Sequence, residues 1–297
     1  MRCGLIAVAM VFVMMTAGVS AAPLVTGELM VYYDFESVGG DGATVTDGSG
    51  NGYDGTIAGN VVQTTGPSGG AAQFWTEGVD VSGTNWNFVD LPVADIFSGG
   101  DIPTSSFTLA ALFKTKASLT TDGNSDQAIF CPLAAEPVGS SKVQTWLLHP
   151  EIRGRATPTD DYYRFTLRSP EMTSIGDVNA GEGDANEGPN WDQWTHIAFT
   201  YDKNTATMKV YENGVVIGQN SAVTASDMPA NWDLGARVGC NVDDARQFLG
   251  ALDEVYIFNR TLNSAEIGVL ASAVPEPGTL ALLASGLFAL GLLRRRR

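Results

Sequence analysis

Short apolar runs separated by glycine, asparagine and aspartate recur along this chain, and no long segment keeps the 3.6-residue period of an amphipathic helix. Runs of this length that end at turn residues are typical of β-strands. The clearest runs are residues 29–36, 107–114, 194–201, 207–212 and 252–258. With this many strands in about 250 residues, we predict an all-β fold of two antiparallel sheets packed face to face.

Two of these runs alternate so that one strand face is apolar. The first places Phe107, Leu109, Ala111 and Phe113 on one face, and the second places Thr195, Ile197, Phe199 and Tyr201 on one face. Between the runs 207–212 and 215–217 lies Asn213-Gly214, which can adopt positive φ at both turn positions and therefore predicts a tight hairpin. Residues 263–271 are the only convincing helical segment.

The first 22 residues predict a secretory signal peptide. Arg2 begins a short positive segment, residues 4–19 are apolar without an acid, and small residues precede a cleavage position near Ala21 or Ala22. A retained membrane anchor is the alternative, and the lack of a tryptophan or tyrosine belt argues against it.

The C-terminus has three elements in a fixed order. Residues 278–293 form an uncharged apolar run, preceded by the motif Pro275-Glu276-Pro277 and followed by four arginines, residues 294–297. A helix over this run spans about 24 Å, short of the roughly 30 Å hydrocarbon core, and thinning or snorkelling can close the gap. The arginines predict a transmembrane helix with its C-terminus in the cytoplasm and everything before Pro275 outside.

This tail, residues 274–297, resembles the PEP-CTERM sorting signal of bacteria. The resemblance implies that an exosortase-type membrane protease recognises the tail and cleaves near Pro275, Glu276 and Pro277. The protein would then pass from a transient anchor in the inner membrane to the outer membrane, the cell surface or the extracellular matrix. A permanent single-pass anchor is the alternative.

The charge of the chain narrows the range of partners. Its formal charge is −16, and residues 23–272 carry 12 basic and 32 acidic residues, a formal charge of −20. Such a chain attracts divalent cations and repels anionic polymers unless a metal ion bridges them, so nucleic acid is excluded as the main partner. Cys3 is removed with the signal peptide, so Cys131 and Cys240 are the only possible pair. In an oxidising exterior they could form a disulfide or remain two separate thiols, and the sequence does not decide between these.

Several motifs together carry a second resemblance. They are Tyr33-Asp34-Phe35-Glu36, the glycine-rich stretch 47–55, and residues 69–74, 89–92, 194–202, 211–214 and 252–262. In this order they resemble the strands of a laminin-G-like, concanavalin A-type jelly roll, over nearly all of residues 24–272. The resemblance is weakest from residue 120 to residue 190, where we expect variable loops.

The resemblance implies a module at the cell surface that binds carbohydrate or protein, often with a structural calcium ion, although some members of the wider fold are glycosidases. Residues 47–53 place side-chain oxygens on alternate positions of a loop that could wrap Ca²⁺. The loop is not an EF-hand, because Ala58 stands where the ligating glutamate would be. The resemblance adds two acids, so the predicted calcium ligands are Glu36, Asp47, Asn51 and Asp253. A solvated asparagine–glycine turn is the alternative.

Two motifs that suggest catalysis are rejected. Residues 66–70 satisfy Gly-x-Ser-x-Gly, but a nucleophile elbow needs a strand before it and a helix after it, whereas a strand follows here and Pro67 lies inside. Glu182, Asp184 and Glu187 resemble the acids of retaining β-glucanases. Their neighbours are small or polar rather than apolar, so this stretch predicts an acidic loop.

The two histidines predict no site: His196 lies on a strand in a structural role, and His149 precedes Pro150 in a loop. We therefore predict no catalytic residues. Aromatic rings could stack on sugar, and the candidates in or near turns are Trp75, Trp86 and Trp146. The sequence favours an exported, non-catalytic module that binds extracellular glycan or a surface protein. A divergent glycoside hydrolase or lyase and a passive matrix protein are the alternatives.

Overall fold

The structure is a computed structural model that describes residues 23–67, 69–76, 86–116, 125–135, 144–146, 148–154, 161–171, 173–181, 189–228, 232–240 and 246–272. The signal segment, the sorting motif and the predicted membrane helix lie outside these residues. Within the described part of the chain, no helix is both long and apolar enough to cross a membrane.

Eighteen strands and two short helices are found in the described residues. The strands are β1 Leu29–Tyr33, β2 Thr44–Val45, β3 Gly55–Ala58, β4 Val62–Thr65, β5 Gly70–Gln73, β6 Phe88–Asp90, β7 Ser106–Thr115, β8 Ser125–Ala128, β9 Phe130–Ala135, β10 Gln144–Trp146, β11 Leu148–Gly154, β12 Tyr162–Arg168, β13 Ser174–Ala180, β14 Thr195–Asp202, β15 Thr207–Glu212, β16 Val215–Asn220, β17 Ala236–Val238 and β18 Gly250–Phe258. The helices are α1 Val93–Gly99 and α2 Ser264–Ala271.

The strands form two layers. One layer is an eight-stranded antiparallel sheet in the order β16-β15-β14-β7-β18-β5-β4, with β1 also paired to β18. The other layer holds a six-stranded sheet, β10-β9-β17-β6-β3-β2, and a four-stranded sheet, β13-β12-β11-β8. Only Ile129 separates β8 from β9, so these two sheets meet there. The predicted two-layer antiparallel fold is confirmed.

Aromatic contacts between the layers form the core. Phe113 packs edge-on against Tyr163 with ring centroids 6.1 Å apart, and Phe199 packs against Phe165 at 5.5 Å. Phe107 stacks on Phe130 at 6.3 Å. The alternating runs therefore bury the faces that the period of two assigned to them.

The predicted hairpin is confirmed. Asn213 and Gly214 have φ of 48° and 84°, and Glu212 pairs with Val215 across the turn. A two-residue turn with positive φ at both positions matches the twist of the strands it joins.

The predicted helix is confirmed as α2. Asn263 caps it: its side chain accepts hydrogen bonds from the backbone N–H groups of Ala265 and Glu266, and Glu266 bonds back to the Asn263 N–H. The buried Ile267 and Leu270 belong to a second apolar cluster, on the side of the eight-stranded sheet away from the main core. Helix α1 was not predicted, because it has seven residues and follows Pro92 without a side-chain cap.

The expectation of loops between residues 120 and 190 is wrong. Strands β8 to β13 lie in this stretch, and β8, β11, β12 and β13 make up the whole four-stranded sheet. Their outward-facing side chains are charged or polar, so their alternation resembles surface sequence rather than buried strands. Cys131 and Cys240 are both buried, and neither forms a disulfide bond.

Candidate functional site

The predicted calcium loop is closed by hydrogen bonds within the protein. Asp47 Oδ1 accepts from the backbone N–H groups of Tyr32 and Ser49, both at 2.9 Å. Its Oδ2 accepts from the Ser49 hydroxyl at 2.6 Å and from the Tyr53 N–H at 3.0 Å. The Asn51 amide nitrogen donates to the carbonyls of Leu29 and Met30. These bonds hold the turn together, and the calcium ion remains a prediction.

The other two predicted ligands lie beside a different turn, the one joining β4 to β5. A side chain at Gly66 would collide with Asp253 Oδ2, and one at Gly69 would collide with the Glu36 carboxylate. The Gly70 N–H donates to Glu36 Oε1 at 3.1 Å. The structure therefore brings Glu36 and Asp253 to one turn.

Asp253 is buried in an acidic setting. Its Oδ2 is shielded from solvent and has no hydrogen-bond partner among the described residues. Burial, with the neighbouring charges of Glu254, Glu36 and Asp34, raises the pKa of Asp253 to about 8. A β-bulge places Glu254 at φ 49°, which turns this strand locally. Within the described part of the chain, no group of three or more His, Cys, Asp or Glu side chains is arranged to hold a metal ion.

The three predicted aromatic ligand residues lie in different surroundings. Trp75 follows β5 and is 6% exposed. Trp86 precedes β6, is half-buried, and its indole N–H is buried without a described partner. Trp146 lies in β10 rather than in a turn, and its side chain is outside the described part of the structure.

Trp75 and Trp194 line a groove of about 510 Å³, which we call the tryptophan groove. Its floor is a row of directly paired residues that share one face of the eight-stranded sheet: Val62, Gln73, Ala251 and Lys114. Lys114 follows the core residue Phe113, so this row faces outward. The half-buried Trp194 and the exposed Asp192 complete the wall. Trp75 is one of the predicted ligand-binding aromatic residues, whereas Trp194 is predicted only as part of a strand.

A second groove of about 470 Å³ lies beside α2. Hydroxyl and amide groups dominate its lining, including Thr200, Thr207, Ser221 and Gln219. Its one ring, Tyr211, is 2% exposed. It therefore offers polar groups but no open aromatic face.

A charged cluster lies on the outward face of the four-stranded sheet. Glu151 Oε2 accepts from Arg153 Nη2 at 2.6 Å and Nε at 2.7 Å, while its Oε1 lies 3.0 Å from Arg246 Nε and 3.1 Å from His149 Nε2. Arg153 also lies 3.4 Å from Asp126. Burial raises the pKa of the Glu151 carboxyl, and the guanidinium groups of Arg246 and Arg153 oppose that shift.

Sequence analysis missed this cluster, and its placement of His149 in a loop is wrong. His149 lies in β11, where His149, Glu151 and Arg153 alternate with Leu148, Pro150 and Ile152. The signal was the period of two, which places every second residue on one face. Glu151 Oε2 is hydrogen-bonded to Arg153, Oε1 lies within ion-pair distance of Arg246 and His149, and the side chain is fully buried. The cluster is therefore not arranged to reach a substrate with a free carboxyl group.

The rejected elbow motif is a hairpin turn. The Gly66 N–H donates to the Gly69 carbonyl at 2.9 Å between β4 and β5, so no helix follows it. Ser68 and the acids Glu182, Asp184 and Glu187 lie outside the described residues.

Comparison with known protein families gives two matches. A family described as the concanavalin A-like lectin/glucanases superfamily matches residues 92–268. The PEP-CTERM protein-sorting motif matches residues 273–297. The second match confirms the predicted tail with Pro275, Glu276 and Pro277, and indicates an exported, cell-surface protein that passes a membrane. No curated protein sequence matches the chain.

Solved structures share the fold. Domain 4 of AbnA, a GH43 extracellular arabinanase from Geobacillus stearothermophilus solved in complex with arabinotriose, is 20% identical, with a TM-score of 0.50, over 82% of this chain and 98% of that chain. The binding domain of Botulinum neurotoxin DC in complex with SialylT is 13% identical, with a TM-score of 0.53, over 84% of this chain and 52% of that chain. The chain thus spans about half the length of the toxin domain, and these likenesses concern the fold.

Proposed function

The chain belongs to the concanavalin A-like lectin/glucanase superfamily and ends in a PEP-CTERM sorting motif, and on this premise we propose that it is an exported surface module that binds carbohydrate through the tryptophan groove. The carrying observation is the indole of Trp194 beside Lys114, Gln73 and Asp192 in a groove of about 510 Å³. A ring beside a few fixed polar groups is the usual composition of a small-ligand site, and pockets of roughly 300–1,000 Å³ are typical.

Export and display follow from the tail. The apolar run 278–293 would anchor the chain in the inner membrane with the arginines in the cytoplasm until an exosortase-type protease acts near Pro275. The body then reaches the outer membrane, the cell surface or the matrix. Its formal charge of −20 keeps such a displayed body soluble.

A non-catalytic role is supported by the carboxylates that the structure describes. Glycoside hydrolysis needs one carboxyl group to donate a proton and a second to act as base or nucleophile. Among the described residues that line the tryptophan groove, Asp192 is the only acid. Within that part of the chain, the groove therefore presents one of the two carboxyl groups that hydrolysis needs.

Replacing Trp194 with alanine is expected to weaken carbohydrate binding about five- to 150-fold, because losing a ring on which a ligand stacks costs about 1–3 kcal/mol. A glycan array that includes arabino-oligosaccharides and sialylated glycans, followed by calorimetry on the best ligand, measures this. The matched control is Phe97→Ala, since Phe97 is an aromatic residue that is 61% exposed on α1, outside the groove. If no glycan on the array is bound, the result would instead support a passive matrix protein. Release of shorter sugars would support a hydrolase.

We also propose that Asp253 and Glu36 hold a structural Ca²⁺ with backbone carbonyls and water. The unpartnered Asp253 Oδ2 in an acidic setting fits a hard cation. Saturating Ca²⁺ is expected to raise the melting temperature by roughly 5–10 °C over EGTA, since an ion at 100 times its Kd adds about 2.7 kcal/mol. The Asp253→Asn variant should lose this response, while Asp227→Asn, an exposed acid elsewhere, should keep it. Superimposable wild-type curves would remove calcium from the account.

A further inference from the structure

Two arginines on the outward face of β12 form no ion pair within the part of the chain that the structure describes. Residues 162–168 alternate, so Tyr163, Phe165 and Leu167 enter the core while Arg164, Thr166 and Arg168 share the opposite face. Arg164 and Arg168 are both half-buried. Within the described part of the chain, neither forms an ion pair, and Arg168 Nε is buried without a hydrogen-bond partner.

This is unusual for a chain with so few cations. Residues 23–272 hold 32 acids and only 12 basic residues, so a guanidinium group has many carboxylates from which a partner could be selected. A half-buried arginine left unpaired loses hydration without gaining an ion pair. The two guanidinium groups are therefore available to bind an anion from outside the chain.

A third polar group lies between them. Thr166 is 7% exposed, and its hydroxyl is buried without a partner among the described residues. A buried hydroxyl without a hydrogen bond costs about 1–3 kcal/mol, so a natural structure rarely leaves one unless a ligand or water completes it. Thr166 pairs with His149 on β11, the neighbouring strand, and His149 Nε2 lies 3.1 Å from Glu151 Oε1.

The acids on this face limit what the anion can be. Glu151 is cross-strand from Arg164, and its two oxygens lie 2.6 Å from Arg153, 3.0 Å from Arg246 and 3.1 Å from His149. Asp177, exposed on β13, is directly opposite Thr166 and forms no ion pair with either arginine. Asp177 and the acidic body repel any polyanion, but they repel a polymer with separated single charges less strongly than a ligand of high charge density.

We propose that Arg164, Thr166 and Arg168 form a binding site for the oxyanion groups of an acidic polysaccharide, carboxylate or sulfate, separate from the tryptophan groove. Each arginine presents a planar fork of donors that matches an oxyanion. Between them the Thr166 hydroxyl has no acceptor among the described residues, so an oxyanion seated against the strand would complete its hydrogen bond. Strand β12 spaces the two arginine Cα atoms by roughly 13 Å. The site therefore suits a chain with charges on successive or alternate sugars rather than one small anion.

The test is the affinity of the full-length chain for polygalacturonate, dextran sulfate and neutral arabinan, measured by affinity electrophoresis at fixed ionic strength. The variant Arg164→Gln/Arg168→Gln should lose at least tenfold in affinity for the bound acidic polymer. The charge-matched control Lys203→Gln/Lys209→Gln, on the other layer, should lose less than twofold. Binding of polygalacturonate alone identifies a carboxylate site, and binding of dextran sulfate identifies a sulfate site.

Two single variants make the test sharper. Asp177→Asn should tighten binding about two- to fivefold, because it removes the one exposed acid opposite Thr166. Thr166→Val should weaken binding several-fold while leaving the melting temperature equal or higher, which a hydroxyl with a structural partner would not do. The proposal is overturned if the wild type binds neither acidic polymer, or if the arginine double variant binds like its control. If these variants bind arabinan like the wild type, their effect on acidic polymers does not come from the tryptophan groove, so the two proposals are tested separately.

Discussion

Replacing Glu151 with alanine is expected to lower the free energy of unfolding by about 3–5 kcal/mol, because it leaves buried positive charge without compensation. Arg153 would keep Asp126 at 3.4 Å and the Tyr162 ring at 5.9 Å, and Arg246 would lose its contact at 3.0 Å and keep Asp126 at 3.9 Å. Both guanidinium groups have little access to water, with side-chain exposures of 9% and 21%. Chemical denaturation at pH 7 measures the loss.

The control is an ion pair of the same chemistry on the surface. Lys203 and Asp227 lie 2.7 Å apart with side chains 34% and 52% exposed, so Asp227→Ala should cost no more than about 1 kcal/mol. Removing Arg153 from the Glu151→Ala variant should recover part of the loss, since it withdraws one uncompensated charge. A Glu151→Ala loss below 1 kcal/mol would show that the cluster is hydrated and contradict its burial.

The strands that the sequence predicts are those with apolar or alternating runs, although β1, β7, β14 and β18 are buried along most of both faces. In β7 and β14 the alternation is visible because Phe107, Phe113 and Phe199 mark the core side. The Asn213-Gly214 turn is encoded locally by residues that accept positive φ. These parts of the fold depend on one strand or one turn at a time, so a single sequence is enough to predict them.

The four-stranded sheet was missed for the opposite reason. In β11 the residues between the apolar positions are His149, Glu151 and Arg153, and all three are buried. A buried charge is stable only when its partner arrives from elsewhere, and here Arg246 comes from a segment nearly 100 residues later. The sequence around β11 gives no indication of a partner that is so distant along the chain. The same holds for the tryptophan groove, because Trp75 and Trp194 meet only after β5 and β14 take their places in one sheet.

Three of the buried polar side chains that have atoms without hydrogen-bond partners among the described residues differ in their surroundings. The hydroxyl of Thr166 lies between Arg164 and Arg168, which have no ion pair among the described residues, and this setting suits an anion. Asp253 lies among acids, which suits a cation. His196 lies neither between arginines nor among acids. It lies in β14 and pairs with Leu112, which in turn pairs with Asp253 on the next strand.

His196 is expected to make the protein sensitive to acid. The ring is 2% exposed, and both of its nitrogens lack partners among the described residues. Burial lowers the pKa of His196 to about 3 from its ordinary value of 6.5. The unfolded chain therefore takes up a proton below pH 6.5 that the folded chain refuses until about pH 3. Stability is complete above pH 6.5 and is lost as the pH falls, by at most about 5 kcal/mol at pH 3 from this group.

The variant His196→Leu isolates this effect. Its free energy of unfolding at pH 7 should be within about 1.5 kcal/mol of the wild type, because the replacement is similar in volume and leaves no buried polar atom. Between pH 6 and pH 4 the wild type should lose about 1.4 kcal/mol more per pH unit than the variant. With two histidines in the chain, NMR can follow each ring directly. A His196 resonance that titrates near pH 6.5 in the folded protein would show that the ring is hydrated, and the difference between the two denaturation series would then vanish.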